Sequence, residues 1–161
     1  MAAARVAEMS DETMAIVGGL AMQVWGSPRL TADLDVIAES ELGYTGERLT
    51  FGGVRTKEGP VELDIIVRSD EWAQLYEAAL YESLEVDDVP MPVVSPEFLV
   101  VMKMVAGRPK DEIDIRYLVL LDDFDHASAE RIIQRYLGRY ALREFRAIVE
   151  EAKWRHSRGE L

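Results

Sequence analysis

Two aspartates, Asp33 and Asp35, stand two positions apart at the start of an apolar run, Leu34–Ala38, that has the length of a buried strand. Alternate residues of a strand share one face, so both carboxylates are expected to project together while Leu34 and Val36 enter the core. Same-face neighbours lie about 7 Å apart, which lets carboxylate oxygens converge on one or two divalent cations. Alone, such a pair is also typical of a solvated strand face, so its meaning depends on the rest of the chain.

A third acid, Asp64, stands inside a second apolar run, Val61–Val67. A lone acid in such a run lowers stability unless it is paired or binds a metal ion. If this strand lies beside the first, three carboxylates meet at one place, and three carboxylates without histidine favour Mg²⁺ or Mn²⁺ over Zn²⁺. Glu62 shares the face of Asp64 and is either a fourth ligand or a solvated side chain.

A glycine pair, Gly18-Gly19, follows the apolar run Met14–Val17 and precedes a segment with helical character, Leu20–Trp25. Backbone N–H groups at such a turn can bind an anion, and the missing side chains let the backbone approach a triphosphate closely. A glycine pair alone is more often a simple turn. Thirteen residues separate Gly19 from Asp33, and a further acid stands in a later apolar strand; this combination is much more specific than the glycine pair alone.

The composition limits the chemistry. The chain has 161 residues, no cysteine and two histidines, which excludes disulfides, thiolate zinc sites and cysteine nucleophiles. The net charge of −12 opposes long-range attraction to nucleic acid and anionic lipid, although a local basic patch remains compatible with it. The N-terminal segment lacks the apolar core of a signal peptide and no run approaches the length of a membrane span. We therefore expect a cytoplasmic protein without membrane partners.

The pattern of elements changes near residue 95. We predict an α/β (α+β) core over residues 1–94 and a helical C-terminal region over residues 95–161, packed on the core as one structural domain. Strands are predicted over residues 14–17, 34–38, 49–56 and 61–67, with 86–94 as an edge strand or an extended segment. Helices are predicted over residues 2–10, 20–25, 71–82, 96–106, 109–121, 127–136 and 139–157, with Asp70 as the N-cap of the third.

The three motifs together resemble the signature of the nucleotidyltransferase superfamily related to DNA polymerase beta. The matching runs are Val17-Gly18-Gly19, Asp33-Leu34-Asp35-Val36 and Leu63-Asp64-Ile65. Two further runs, Arg29–Asp35 and Lys103–Asp114, look like the AbiEii-type branch, which includes toxins of toxin–antitoxin pairs. The resemblance covers roughly residues 14–121. It implies a small mixed sheet flanked by helices.

The resemblance also implies roles for individual residues. It assigns the binding of metal ions, Mg²⁺ or Mn²⁺, to Asp33, Asp35 and Asp64. Of these acids, Asp64 also helps to deprotonate the attacking hydroxyl. It assigns the NTP co-substrate to six further residues: Gly18, Gly19, Arg29, Thr31, Lys103 and Asp111. Many relatives, including the minimal antitoxin branch that modifies a protein partner, carry serine where this chain has Gly19, so the missing hydroxyl counts against that branch.

The helical region offers simpler explanations for its charged residues. Lys103 lies among apolar residues and either neutralises a triphosphate or extends from an amphipathic helix to water. Asp111 and Asp114 are either functional or members of local charge pairs. Eight basic residues stand in residues 131–158, with Arg131/Arg135 and Arg139/Arg143 at helical spacing. They form either an RNA-binding patch or a solvated face that complements an acidic body or partner.

The sequence therefore predicts an enzyme that moves an NMP group from NTP to a hydroxyl. The favoured acceptor is an RNA end such as that of tRNA, in a toxin–antitoxin setting with a cognate antitoxin or toxin as partner. Nucleotidylation of a protein and modification of a small molecule are the enzymatic alternatives. A non-catalytic binding module or antitoxin that retains the fold is the third possibility, and the presence of all three acids counts against it.

Overall fold

A computed structural model describes all residues, 1–161, and divides them into two compact units, Met1–Ser95 and Pro96–Leu161. The first unit is a mixed five-stranded sheet with three helices, and the second is entirely helical. The predicted mixed α/β class with a helical C-terminal region is therefore confirmed. The packing of both regions as one structural domain stays a prediction.

The strands of the first unit lie in the order β1-β2-β5-β4-β3. Only β2 and β5 are parallel, and the other neighbouring pairs are antiparallel. The strands are β1 (Met14–Val17), β2 (Leu34–Ala38), β3 (Glu47–Arg48), β4 (Gly53–Glu58) and β5 (Val61–Ile66). The helices are α1 (Ala2–Glu8), α2 (Gly18–Val24) and α3 (Ala73–Tyr81).

The two central strands follow the predicted alternation. The buried residues of β2 are Leu34 and Val36, and those of β5 are Leu63 and Ile65. The residues between them, Asp35 and Asp64, are half-buried. Alternate residues of a strand point to opposite faces, so one face of this strand pair is apolar and the other carries the acids. The apolar face belongs to the core that stabilises the unit by removing nonpolar surface from water.

The region predicted as one strand over residues 49–56 folds differently. Leu49–Gly52 forms a turn in which the Gly52 N–H donates to the Leu49 carbonyl at 3.1 Å, so β3 and β4 form a hairpin. The turn is followed by Gly53, and both glycines have positive φ, 109° and 110°. They provide a left-handed backbone rather than the predicted bulge within a continuous strand, because that conformation is unfavourable for residues with a Cβ.

Other boundaries differ by a few residues. Helix α2 begins at Gly18 rather than Leu20. Asp70 accepts the Trp72 N–H at 3.1 Å in a turn that precedes α3, so it does not cap the helix directly.

The proline-containing segment 86–94 is a loop: the Val89 N–H donates to the Val86 carbonyl at 3.1 Å in a turn, and Asp88 has a φ of +63°. At its end, Val93 forms single bridges to Leu84 and Ile16. Both predicted alternatives, an edge strand and an extended segment, are therefore wrong for most of this segment, because its prolines remove hydrogen-bond donors and the chain turns back on itself before Val93.

The second unit contains four helices: α4 (Pro96–Ala106), α5 (Pro109–Leu118), α6 (His126–Tyr136) and α7 (Arg139–Ser157). Helix α4 packs on α5 and α6, and α7 packs on α5 and α6. Its core includes Leu118, Ile133 and Phe145, each at most 1% exposed. None of the seven helices of the chain combines the length and hydropathy needed to cross a lipid bilayer.

Candidate active site

The two central acids lie side by side in the sheet. Asp35 of β2 is the register partner of Asp64 on the parallel neighbour β5, and on its other side Asp35 pairs with Val17 of β1. Val17 is followed directly by the glycine turn. The fold therefore brings three separate stretches of sequence to adjacent positions at one place in the sheet.

Gly18 is in direct contact with the first of these acids. A Cβ placed on Gly18 would lie 2.1 Å from Asp35 Oδ2 and 3.0 Å from Asp35 Cγ, so no side chain fits at this position. Its φ of +68° also favours glycine. Only glycine fits against this carboxylate. The sequence predicted that the same glycine lets the backbone approach a phosphate closely.

Gly19 faces the segment that leads into β2. A Cβ on Gly19 would meet Thr31 Cβ at 2.9 Å and Thr31 Oγ1 at 3.1 Å. The Thr31 hydroxyl in turn accepts the Asp33 N–H at 3.3 Å. The serine that many relatives carry at this position would be crowded by Thr31, which gives a steric reason for glycine in this chain.

Asp33 and Arg29 occupy the exposed approach to β2. Asp33 stands one residue before β2, which has the predicted bounds, and its side chain is exposed. Arg29 is also exposed, and its carbonyl accepts an N–H of the Gln23 side chain at 3.1 Å. The structure gathers no group of three acidic or histidine side chains that could hold a metal ion. Asp35 and Asp64 are register partners on neighbouring strands.

Arg55 contacts the second acid and was not identified from the sequence. Its Nε and Nη2 donate to Asp64 Oδ1 and Oδ2, both at 2.8 Å, from the register-paired position on β4. The hydrogen bonds and the charge of Asp64 raise the pKa of Arg55 above its ordinary value, so this pair is ionic. The sequence shows an arginine two residues after Gly53, but which side chain this arginine contacts depends on the register between β4 and β5.

The donor chemistry of the site fits a hard divalent cation. Asp33, Asp35 and Asp64 offer only carboxylate oxygens, which Mg²⁺ and Mn²⁺ prefer, and the chain has no cysteine to compete for a softer metal. The close approach of Gly18 to the Asp35 carboxylate leaves the backbone, rather than a side chain, beside this donor. Arg55 holds both oxygens of Asp64, so a cation there would have to share or replace this partner.

The predicted nucleotide ligands of the helical unit form their own cluster. The ammonium of Lys103, on α4, lies 2.6 Å from Asp114 Oδ2 and 3.6 Å from Asp111 Oδ1, both on α5. All three side chains are buried. This ion pair joins the two helices and matches the local charge pairing that the sequence left open. A role for Lys103 or Asp111 in nucleotide binding stays a prediction.

Asp111 also completes the start of α5. Its Oδ2 accepts the Arg108 backbone N–H at 3.0 Å and the Arg108 Nε at 2.7 Å. Burial acts to raise the pKa of Asp111, but the hydrogen bonds from Arg108 and the charges of Arg108 and Lys103 outweigh it and hold the pKa below its usual value. The carboxylate therefore stays ionised inside the helical unit.

A glycine turn against one acid, with a second acid in register on the parallel strand, agrees with the nucleotidyltransferase arrangement that the motifs predicted. Over residues 2–158 the chain matches the family described as nucleotidyltransferase of unknown function, DUF6036. The match spans nearly the whole chain, so the protein belongs to this family. Comparison with curated proteins gives no match. The superfamily prediction is confirmed and a general role in nucleotidyl transfer is supported.

Proposed function

We propose that this chain transfers an NMP group from an NTP to a hydroxyl acceptor, using Asp33, Asp35 and Asp64 as its acidic residues. The observation that carries the proposal is the placement of Asp35, with Gly18 against its carboxylate and Asp64 in register on the parallel strand. The two acids lie on neighbouring strands and offer oxygen donors for a cation. The glycine turn beside one of them offers backbone N–H groups for phosphate. Membership of a nucleotidyltransferase family supports the same reaction class.

The proposed reaction is an in-line displacement at the α-phosphorus. The acceptor oxygen forms a bond to this phosphorus while the bond to the β-phosphate bridging oxygen breaks, and pyrophosphate leaves. Asp64 takes the proton of the acceptor hydroxyl, and the backbone at Gly18 and Gly19 faces the leaving phosphates. Asp33 and Asp35, with Asp64, would hold Mg²⁺, which when bound stabilises negative charge on the phosphates. Positioning by the rigid central strands supplies much of the remaining catalysis.

We infer that the acceptor is an RNA end. The support is the exposed basic surface of α6 and α7, defined by Arg131, Arg135, Arg139 and Arg143. Two of these stack on neighbouring tyrosines, with Arg135 5.4 Å from the Tyr136 ring and Arg139 5.1 Å from the Tyr140 ring. Exposed arginines beside aromatic rings are suited to phosphates and unstacked bases. The proposed setting is a toxin–antitoxin pair, in line with the AbiEii-type resemblance.

A small-molecule acceptor is the second candidate, and one specific observation favours it. A cavity of about 300 Å³ lies at the carboxyl ends of β2 and β5, the two strands that carry Asp35 and Asp64. Its lining includes Ile37, Ile66, Tyr76 and Glu77. Because Ile37 and Ile66 are each two residues beyond an acid, they share its side of the sheet. Ligands of sheets with parallel strands commonly bind beyond the carboxyl ends of those strands.

The test is transfer of label from each α-³²P-labelled NTP in turn, with Mg²⁺ or Mn²⁺. The acceptors are total tRNA, total cell protein and a small-molecule extract, and Asp35→Asn is the inactive control. Label on RNA that is lost in the variant supports the proposal. Label on protein or on a small molecule would support the transferase activity but replace RNA as the proposed acceptor. Neither transfer nor NTP binding under any condition would refute the enzymatic proposal in favour of a binding module.

The basic surface is tested separately with two single charge reversals in the helical unit. Arg135→Glu alters the basic surface, and Lys110→Glu alters an exposed cation at the start of α5. We expect RNA labelling to fall about tenfold in the first variant, and to fall less at higher salt, because phosphate contacts are electrostatic. The second variant should retain labelling. Equal labelling in both would remove the argument for RNA.

A further inference from the structure

We propose that Arg55 acts as an exchangeable counter-ion at the active site: it neutralises Asp64 in the resting protein and passes to the triphosphate when a divalent cation binds Asp64. This inference rests on the proposed function. It adds a residue outside the three acids and the glycine turn, and it makes cation and nucleotide binding depend on each other.

The resting state is defined by the bidentate ion pair. Both oxygens of Asp64 accept a hydrogen bond from Arg55 at 2.8 Å, in the planar geometry that only a guanidinium can provide. The pair is uneven in its exposure to water: the Asp64 side chain is 14% exposed and that of Arg55 is 46% exposed. The carboxylate is therefore fixed in the sheet, whereas the guanidinium reaches it from the solvent side.

This geometry makes the cation and Arg55 competitors. A dication that binds Asp64 needs carboxylate lone pairs that now face the Arg55 N–H groups, and it is repelled by the adjacent positive charge. Arg55 can leave without losing all electrostatic compensation, because Glu62 Oε1 lies 3.9 Å from its Nε. The exchange therefore requires a side-chain movement on β4 and no change in the sheet.

The released guanidinium would remain next to Asp64, whose neighbour in the sheet, Asp35, contacts the glycine turn where the proposal places the triphosphate. Its five N–H donors match phosphate oxygens in the same bidentate way as a carboxylate. Arg55 then opposes cation binding in the absence of nucleotide and supports nucleotide binding in the presence of the cation. A residue with a purely structural role would, if removed, weaken both events.

The experiment measures these two affinities in the full chain. Mn²⁺ binding without nucleotide is followed by the electron paramagnetic resonance signal of free Mn²⁺. Binding of a fluorescent, non-reactive α,β-methylene triphosphate is followed by anisotropy at saturating Mn²⁺. In Arg55→Met we expect Mn²⁺ to bind about tenfold more tightly, since a contacting like charge is removed. We expect the triphosphate to bind about tenfold more weakly, since a charge-assisted contact is lost.

Three further variants serve as controls. Lys57→Met removes an exposed positive charge two residues along the same strand and should change either affinity less than twofold. Arg55→Lys keeps the charge without the bidentate fork and should lie between wild type and Arg55→Met. In an Asp64→Asn background, Arg55→Met should no longer tighten Mn²⁺ binding, because the carboxylate over which the two cations compete is absent.

The possible outcomes separate this inference from the proposed function. If wild type binds neither Mn²⁺ nor triphosphate, the proposed function fails. If wild type binds both, Asp35→Asn abolishes binding and Arg55→Met equals wild type, only the role of Arg55 is refuted. Weaker binding of both ligands in Arg55→Met also refutes it, in favour of a structural role. If Arg55→Met does not give a cooperative urea transition, the same opposite shifts in Arg55→Lys decide the question.

Discussion

Replacement of Gly18 by alanine tests the central contact of the site. The residue has φ +68°, a conformation that costs an L-residue about 1–2 kcal/mol. The new Cβ would also lie 2.1 Å from Asp35 Oδ2, so either the carboxylate turns away or the start of α2 shifts. Overpacking of this kind costs about 1–3 kcal/mol. We therefore expect Gly18→Ala to lower the free energy of unfolding by about 2–5 kcal/mol in urea denaturation.

Gly43→Ala is the matched control within the same unit. Gly43 has φ +78°, but a Cβ there would meet no atom within 4 Å, so only the backbone term of about 1–2 kcal/mol applies. Either rearrangement changes the position of the Asp35 carboxylate relative to the glycine turn, so label transfer and Mn²⁺ binding should fall at least about tenfold in Gly18→Ala alone. Equal stability of the two variants, with unchanged Mn²⁺ binding, would refute the importance of this contact.

Three other predictions concern charged residues that the fold buries or stacks. Lys103→Met removes the ammonium that pairs with the buried Asp114 and should lower the free energy of unfolding by about 3–5 kcal/mol in urea denaturation. The control Lys110→Met, at an exposed position, should change it by less than about 0.5 kcal/mol. A small loss in both variants would contradict a structural ion pair. Since the folded pKa of Asp111 lies below its ordinary value, its stabilising contribution is present above about pH 4 and is lost as the pH falls below it. Asp111→Asn should flatten this acid dependence in urea midpoints measured across that range, and an unchanged slope would disprove the assignment. Arg68→Lys removes a guanidinium whose carbon lies 4.8 and 4.7 Å from the centroids of two aromatic rings. We expect the free energy of unfolding to fall by about 1–2 kcal/mol, measured by thermal denaturation. An unchanged midpoint would show that this stack contributes little.

The cluster around Lys103 shows why a buried cation is an ambiguous sign of function. Its sequence context, an apolar helix next to a charged motif, is compatible with a phosphate ligand and with a structural ion pair. In the structure two aspartates of α5 surround the ammonium, and burial of this group without them would be costly. The pairing neutralises these buried charges within the helical unit, and urea denaturation of Lys103→Met measures what it contributes to stability.

The sequence by itself determined the elements whose signals are local. The strands Met14–Val17 and Leu34–Ala38 and the helices Pro96–Ala106 and Arg139–Ser157 begin and end where apolar runs, proline or glycine predicted. The family motif was also readable, because its residue types recur at nearly fixed spacing. These features depend on residues that are close along the chain, and their physical causes are backbone conformation and periodicity.

Only the tertiary structure decided which residues meet. The hairpin at Leu49–Gly52 replaces a predicted strand. The antiparallel pairing of β4 with β5 places Arg55 opposite Asp64. The contact of Gly18 with Asp35 likewise depends on the pairing of β1 with β2. A shift of one residue in register reverses which side chains share a face, and the strand predicted over residues 49–56 stops short of the turn between Glu58 and Val61 that sets the register of Arg55. The acids could therefore be predicted from sequence, whereas their counter-ion and their steric neighbours could not.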